Sequence, residues 1–240
     1  MGATQDGSVG PRKGGRLDDG GERIALYDRM ARELYVAVIS DILDSLGYRN
    51  QVMQASIRPV DPGSNHVLVG RAATIQCTPQ YEVPLEPYTG VIAAIDSLQP
   101  GDVAVIGTGG HEGAAYWGEL FSNAALARGA RGTVIDGFHR DTRKVLELGY
   151  PLFSTGARPF DSAGRATVSS HGRPVVCGGV LVRPNDVVFA EIDGIAVIPH
   201  EVAAETVARA FEKASKEDRC RDDLRAGALL GEVWKKYKVL

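Results

Sequence analysis

The chain has 240 residues, 44% hydrophobic and 24% charged, with a formal net charge of −3. That length allows one large domain or two small ones, and the composition is that of an ordinary globular protein. The slightly acidic balance argues against a basic nucleic-acid-binding face, and no apolar run reaches the length of a membrane span, so neither nucleic acid nor membrane is expected as a partner.

Residues 1–20 are rich in Gly, Asp and basic side chains without periodicity. They read as a disordered leader, which leaves 21–240 as a single domain. A helical pattern starts at Glu22 with Ile24, Leu26, Tyr27, Met30 and Leu34. A second helix covers Val38 to Leu46 and stops at Gly47. Residues 66–77 alternate as strands around Gly70. Pro84 and Pro87 mark a loop, and a helix follows through Gly90–Ile95. The turn Pro100-Gly101-Asp102 leads into a buried-type strand, Val103–Ile106, then a Gly-rich loop, Gly107–Gly113. A helix begins near Gly118 and ends at Gly129. Thr133–Ile135 is the next strand, and a helix runs from near Asp141 to Gly149, with Pro151 beyond it. The strand–helix–strand–helix order implies parallel crossovers. Between 165 and 198 the apolar pairs and triplets read as successive strands, with Asp193-Gly194 as a hairpin signal. A long helix begins near His200, and its far end, Lys216 to Arg225, is heavily charged without an obvious partner in the chain.

The densest chemistry lies in Trp117-Gly118-Glu119-Leu120 and Asp136-Gly137-Phe138-His139-Arg140-Asp141. Twenty residues separate Glu119 from Arg140-Asp141. If strands 103–106 and 133–136 are neighbours, both junctions open on one sheet edge, where α/β proteins bind ligands. Two carboxylates and a guanidinium then converge. Oxygen ligands suit Mg²⁺ or Mn²⁺, and a guanidinium grips a carboxylate with two hydrogen bonds. Each residue also has a plain structural role open to it: Asp141 as a helix N-cap, Glu119 as a first-turn acid, Arg140 as a surface residue. The Gly-rich loop can cradle an anion or simply be a loop. His139 is unassigned.

Other chemistries find less support. The five histidines have no zinc-ligand spacing, and there is no GxSxG elbow. The lysines outside the leader are Lys144 and five in the last 28 residues, so none offers a strand-end Schiff base. Cys77, Cys177 and Cys220 lack CxxC spacing, and no apolar signal segment opens the chain. Reduced thiols in a cytoplasmic protein are expected.

Together with Ile39–Gly47 and Arg128–Gly137, these motifs resemble the family of 4-hydroxy-4-methyl-2-oxoglutarate aldolases and regulator-of-ribonuclease-activity-A (RraA-like) proteins, often mislabelled as demethylmenaquinone methyltransferases. The resemblance runs from about Tyr35 to the C-terminus. The aldolase branch typically has Asp where this chain has Glu119. The resemblance implies a compact layered α/β sandwich of the swivelling β/α type with a long C-terminal helix, assembled as a homotrimer or homohexamer. It further implies a metal-dependent (class II) pyruvate aldolase whose small-molecule substrate is a 4-hydroxy-2-oxo acid such as 4-hydroxy-4-methyl-2-oxoglutarate, with oxaloacetate decarboxylation as a side activity. Asp141 would bind Mg²⁺ or Mn²⁺ directly and Glu119 through water. Arg140 and the backbone of Gly118, Glu119, Leu120 and Phe121 would hold pyruvate, and Glu217 of a neighbouring subunit would complete the site. The rival within the family is a binding protein that inhibits a ribonuclease or helicase. A methyltransferase is a weaker rival, lacking a proper cofactor glycine loop.

Overall fold

The computed structural model describes residues 20–239. The expected leader falls outside these residues except for Gly20, which opens the first helix. In chain order the elements are α1 (Gly20–Glu33), α2 (Val36–Ser45), β1 (Arg58–Pro59), β2 (Leu68–Pro79), α3 (Thr89–Asp96), β3 (Asp102–Gly107), β4 (Ala115–Trp117), α4 (Glu119–Ala127), β5 (Gly132–Ile135) and β6 (Phe138–His139). There follow α5 (Thr142–Glu147), β7 (Leu152–Ser154), β8 (Gly156–Ala157), β9 (Ala166–His171), β10 (Val175–Cys177), β11 (Val180–Val182), β12 (Val187–Glu191) and β13 (Gly194–Ile198). A 3₁₀ turn (His200–Val202) leads into α6 (Ala203–Arg225), and α7 (Leu230–Tyr237) ends the order.

The main sheet runs β1-β7-β5-β3-β2-β12-β13, with β9 also paired to β2. Its centre, β2-β3-β5-β7, is parallel, as the alternation of strands and helices implied. The strands expected over 66–77 are one continuous strand of 12 residues, long enough to pair with β3 on one side and with β12 and then β9 on the other. The sheet nearly closes on itself: Arg58 in the edge strand β1 donates to the Ile192 carbonyl at the β12–β13 turn, 3.2 Å away.

Near-closure buries both faces, which is why the strands read as apolar runs rather than as alternating patterns. Val103 and Val105 of β3 point into the enclosed core with Val134, Phe153, Val188 and Ile195. Ala104 and Ile106 point outward under α3, α4 and α5. On the β12–β13 side, Phe189 and Ile198 pack instead against α1, α2 and α6. The helices stop at the expected glycines, with Gly47, Gly129 and Gly149 all at positive φ.

Two expectations need correction. The charged end of α6 does have partners within the chain, because α7 folds back on it. Asp223 takes hydrogen bonds from Lys236 Nζ at 2.8 Å and from the Tyr237 hydroxyl at 2.9 Å. Helix α7 was not anticipated from the sequence. In addition, the two motif-bearing junctions do not follow β3 and β5 directly. After each comes a further short strand, and these form a separate parallel layer, β4-β6-β8.

Candidate active site

The β4-β6-β8 layer positions the motif. Strands β4 and β6 are parallel neighbours, and the ladder continues past their ends: Arg140 N–H donates to the Trp117 carbonyl at 2.9 Å, and Arg158 N–H to the His139 carbonyl at 2.8 Å. Gly118-Glu119 and Arg140-Asp141 therefore leave adjacent strands side by side. The two junctions are neighbours as expected, although the strands that bring them together are β4 and β6, and of the expected trio only Arg140 and the Asp141 carboxylate come together.

A buried network fixes the turn from β4 into α4. Trp117 is fully buried and stacks on Tyr150 at 6.2 Å. Its indole N–H donates to Ser122 Oγ, which in turn donates to the Gly118 carbonyl, both at 2.9 Å. On the β6 side, His139 is buried between Ser154 Oγ at 2.8 Å and Thr142 Oγ1 at 2.9 Å. Burial holds its imidazole below the usual pKa, so it stays neutral and braces the strand behind Arg140. Asp136 is also occupied, accepting from Thr108 N–H at 2.6 Å and Gly178 N–H at 3.3 Å, which ties down the Gly-rich loop.

Asp141 stands at the N-cap position of α5 in a left-handed conformation, φ 60°, but its side chain makes no capping bond. The carboxylate reaches back to α4 instead, where Glu119 N–H donates to Oδ2 at 3.3 Å. Arg140 Nε lies 3.6 Å from the same oxygen. Gly118 makes this approach possible. A Cβ there would sit 2.6 Å from Asp141 Oδ2 and 3.1 Å from Arg140 Cγ. Its φ of −164° is ordinary extended backbone, so the glycine serves space rather than conformation.

The resulting cradle fits a hard divalent cation chemically. Its side-chain ligand is the Asp141 carboxylate, a hard oxygen donor 40% exposed, and Gly118 adds no side chain beside it. Glu119 is adjacent, but its carboxylate accepts from Asn123 Nδ2 at 2.6 Å and turns along the helix. The first turn of α4 adds the N–H groups of Leu120 and Phe121, which have no intrahelical acceptor. Glu217 does not line this pocket. It lies on α6, 15% exposed, between Lys213 at 3.8 Å and Arg221 at 3.6 Å, and burial raises its pKa.

The pocket beside the cradle measures about 250 Å³ and brings in residues that the sequence did not single out: Tyr88, Asp161 and Ser162. Asp161 Oδ1 lies 3.4 Å from Arg140 Nη1, and Oδ2 accepts from the Tyr88 hydroxyl at 2.5 Å. Both come from loops or loop edges, without strand or helix periodicity to point to them. Elsewhere, Asp186, His200 and Glu201 are the one group of three metal-ligand side chains close together among the described residues. Asp186 Oδ1 and Oδ2 already accept from the backbone N–H groups of His200 and Arg183. Asp186 precedes β12 and its carbonyl accepts from Ala72 N–H of β2, level with the start of β3 and so at the end of the strands opposite the cradle.

Residues 36–197 match the model of the RraA-like family, described as Aldolase/RraA. The chain belongs to this family. Among the relatives of this RraA-like protein, DlpA of Legionella pneumophila is 29% identical over 201 residues, 84% of this chain. The match spans only 32% of DlpA, so this chain corresponds to about a third of that protein. A Halalkalibacterium halodurans protein named "Putative 4-hydroxy-4-methyl-2-oxoglutarate aldolase" is 30% identical over 191 residues, 80% of this chain and 84% of that one. Among solved structures, Streptomyces coelicolor RraAS2, described as an unusual member of the RNase ES inhibitor RraA protein family, is 32% identical with a TM-score of 0.74. The alignment covers 84% of this chain and 97% of that one. The layered α/β fold with its long C-terminal helix is thus the RraA fold.

Proposed function

We propose that this RraA-like protein is a divalent-metal-dependent pyruvate aldolase that cleaves 4-hydroxy-2-oxo acids, with oxaloacetate decarboxylation as a side activity. The observation that carries the reading is the meeting of Arg140, Asp141 and the start of α4 at one pocket, with Gly118 keeping the space between them open. The name of the Halalkalibacterium relative supports the same reaction class.

Asp141 would hold Mg²⁺ or Mn²⁺ directly and Glu119 through water, since Mg²⁺ commonly keeps several waters beside one or two carboxylates. The bound cation would supply Lewis-acid polarisation of the 2-oxo group. Arg140 grips the substrate carboxylate and stabilises the charge that builds on the 2-oxo oxygen. The N–H groups of Leu120 and Phe121 add the positive end of a helix dipole. Glu119 would relay, through a water, the proton lost from the 4-hydroxyl, its carboxylate turning from Asn123 toward the pocket to do so. The C3–C4 bond breaks, its electrons form the enolate of pyruvate, and protonation at C3 releases pyruvate. With oxaloacetate the departing fragment is CO₂. Residues 21–240 would act as one cytoplasmic domain in a homotrimer or homohexamer, with Glu217 reaching the site of a neighbouring subunit.

The description of the Streptomyces neighbour favours a second reading, a binding protein that inhibits a ribonuclease or helicase without catalysis. One assay separates the two: pyruvate release from oxaloacetate and from 4-hydroxy-2-oxo acids, with Mg²⁺ or Mn²⁺ and with EDTA. Metal-dependent release supports the aldolase. A folded protein that releases no pyruvate from any of them supports the inhibitor.

A further inference from the structure

We infer that Arg158 is a specificity-determining residue of this site: it holds the second carboxylate of 4-hydroxy-2-oxo acids that carry one at C4. The inference rests on the aldolase reading and assigns the far end of its substrate. The β4-β6-β8 ladder pairs Trp117 with His139 and His139 with Ala157. One residue further on, Gly118, Arg140 and Arg158 stand abreast on one face of the layer. A cavity of about 340 Å³ lies beside Arg158. It shares Arg140 and Asp141 with the 250 Å³ pocket, so a ligand held by these two residues has a way into either space.

The two spaces differ in charge. On the pocket side the Asp161 carboxylate stands 3.4 Å from Arg140 Nη1 and repels a second anion. On the other side Arg158 offers a cation. Once Arg140 and the start of α4 hold the substrate's first carboxylate, the second is turned away from Asp161 and toward Arg158. Arg158 is paired here with Glu112, Nη2 to Oε2 at 3.1 Å, and its guanidinium lies over the Phe138 ring, 4.5 Å from the centroid. The Glu112 side chain is 70% exposed, and an ion pair this exposed holds weakly. A substrate carboxylate in the cavity displaces Glu112 and takes a two-pronged hydrogen bond, while Phe138 keeps the guanidinium in place. Glu217, the residue expected from a neighbouring subunit, is an acid and brings no competing cation. Oxaloacetate needs no such anchor, because its second carboxylate departs as CO₂.

The test compares two substrates of matched size: 4-hydroxy-4-methyl-2-oxoglutarate, and its analogue with an isopropyl group in place of the C5 carboxylate. Pyruvate release is followed with Mg²⁺ on the protein as it assembles, so whatever a neighbouring subunit adds to the site is present for both. The readout is the ratio of kcat/KM for the dicarboxylate to that for the analogue. Arg158→Gln should lower this ratio by about tenfold or more, the scale of one lost charge-assisted contact. Arg158→Lys should restore part of it. Glu112→Gln removes the competing carboxylate and should raise the ratio. A purely structural role for Arg158 would slow both substrates alike and leave the ratio where it was. A ratio that Arg158→Gln leaves unchanged or raises overturns the inference and leaves the aldolase reading standing. If Arg158→Gln does not fold, Glu112→Gln decides alone, and a ratio that fails to rise overturns the inference. Pyruvate from oxaloacetate alone, with neither larger substrate cleaved, overturns it too. No pyruvate from any of the three overturns the aldolase reading, and the inference with it.

Discussion

Replacing Gly118 by alanine puts a methyl group into the space that Asp141 and Arg140 share. The added Cβ lies 2.6 Å from Asp141 Oδ2 and 3.1 Å from Arg140 Cγ. Relief of that overlap requires the carboxylate to retreat by roughly 0.5–1 Å. Backbone strain contributes nothing, because φ is −164°. Asp141 is 40% exposed and free to swing toward solvent, so the stability cost should be about 1 kcal/mol, at the low end for overpacking. Function should suffer far more, since a displacement of about 1 Å in a reacting constellation costs on the order of 10²-fold. Urea denaturation and a coupled pyruvate assay on Gly118→Ala read the two effects separately. A small shift in the unfolding midpoint with kcat/KM down about 100-fold is expected. Wild-type turnover in the folded variant would refute the reasoning, and so would a loss of several kcal/mol with turnover per folded molecule intact.

Three further outcomes are expected. Arg140→Lys keeps the charge but loses the two-pronged grip, so kcat and kcat/KM should fall together rather than KM alone rising; unchanged kinetics exclude a bidentate role. His139 has its pKa lowered by burial, so the unfolded chain takes up a proton more readily than the fold does. Its contribution to stability is whole above about pH 6.5 and is lost as pH falls below that value. Urea midpoints at pH 7.5 and 5 should therefore diverge more in the wild type than in His139→Gln, and equal divergence removes His139 as the cause. Mixed oligomers of Asp141→Asn and Glu217→Ala chains should regain part of the lost activity, because some interfaces would pair an intact Asp141 with a neighbour's intact Glu217. No recovery after verified subunit exchange rules out the shared site.

Several elements were legible because burial on both faces writes apolar runs into the sequence. Val103–Ile106, Thr133–Ile135 and the 187–198 hairpin all appear where those runs lie. Gly118-Glu119 and Arg140-Asp141 were legible as neighbours because β3 and β5, the strands that precede β4 and β6, pair in parallel. The short strands β4, β6 and β8 have two or three residues each, too few to display any period, and their existence follows only from the packing of the layer. Tyr88 and Asp161 join the pocket through a tertiary contact that local pattern does not encode. The reach of the Asp141 carboxylate back to α4 was equally hidden. An Asp before a helix reads as a cap, and only the left-handed backbone at this position turns its carboxylate to α4.

The central claim is that Asp141 and Arg140 form a metal-dependent pyruvate site. Its most direct test strips the protein with EDTA, restores Mg²⁺ or Mn²⁺, and follows pyruvate from oxaloacetate in wild type and Asp141→Asn side by side. Asparagine tolerates the left-handed conformation at this position, so the variant should fold. Wild type should lose activity with EDTA and regain it with metal, while Asp141→Asn stays down by orders of magnitude under both conditions. Activity in the wild type that EDTA leaves untouched, or metal-dependent turnover retained in Asp141→Asn, would contradict the claim.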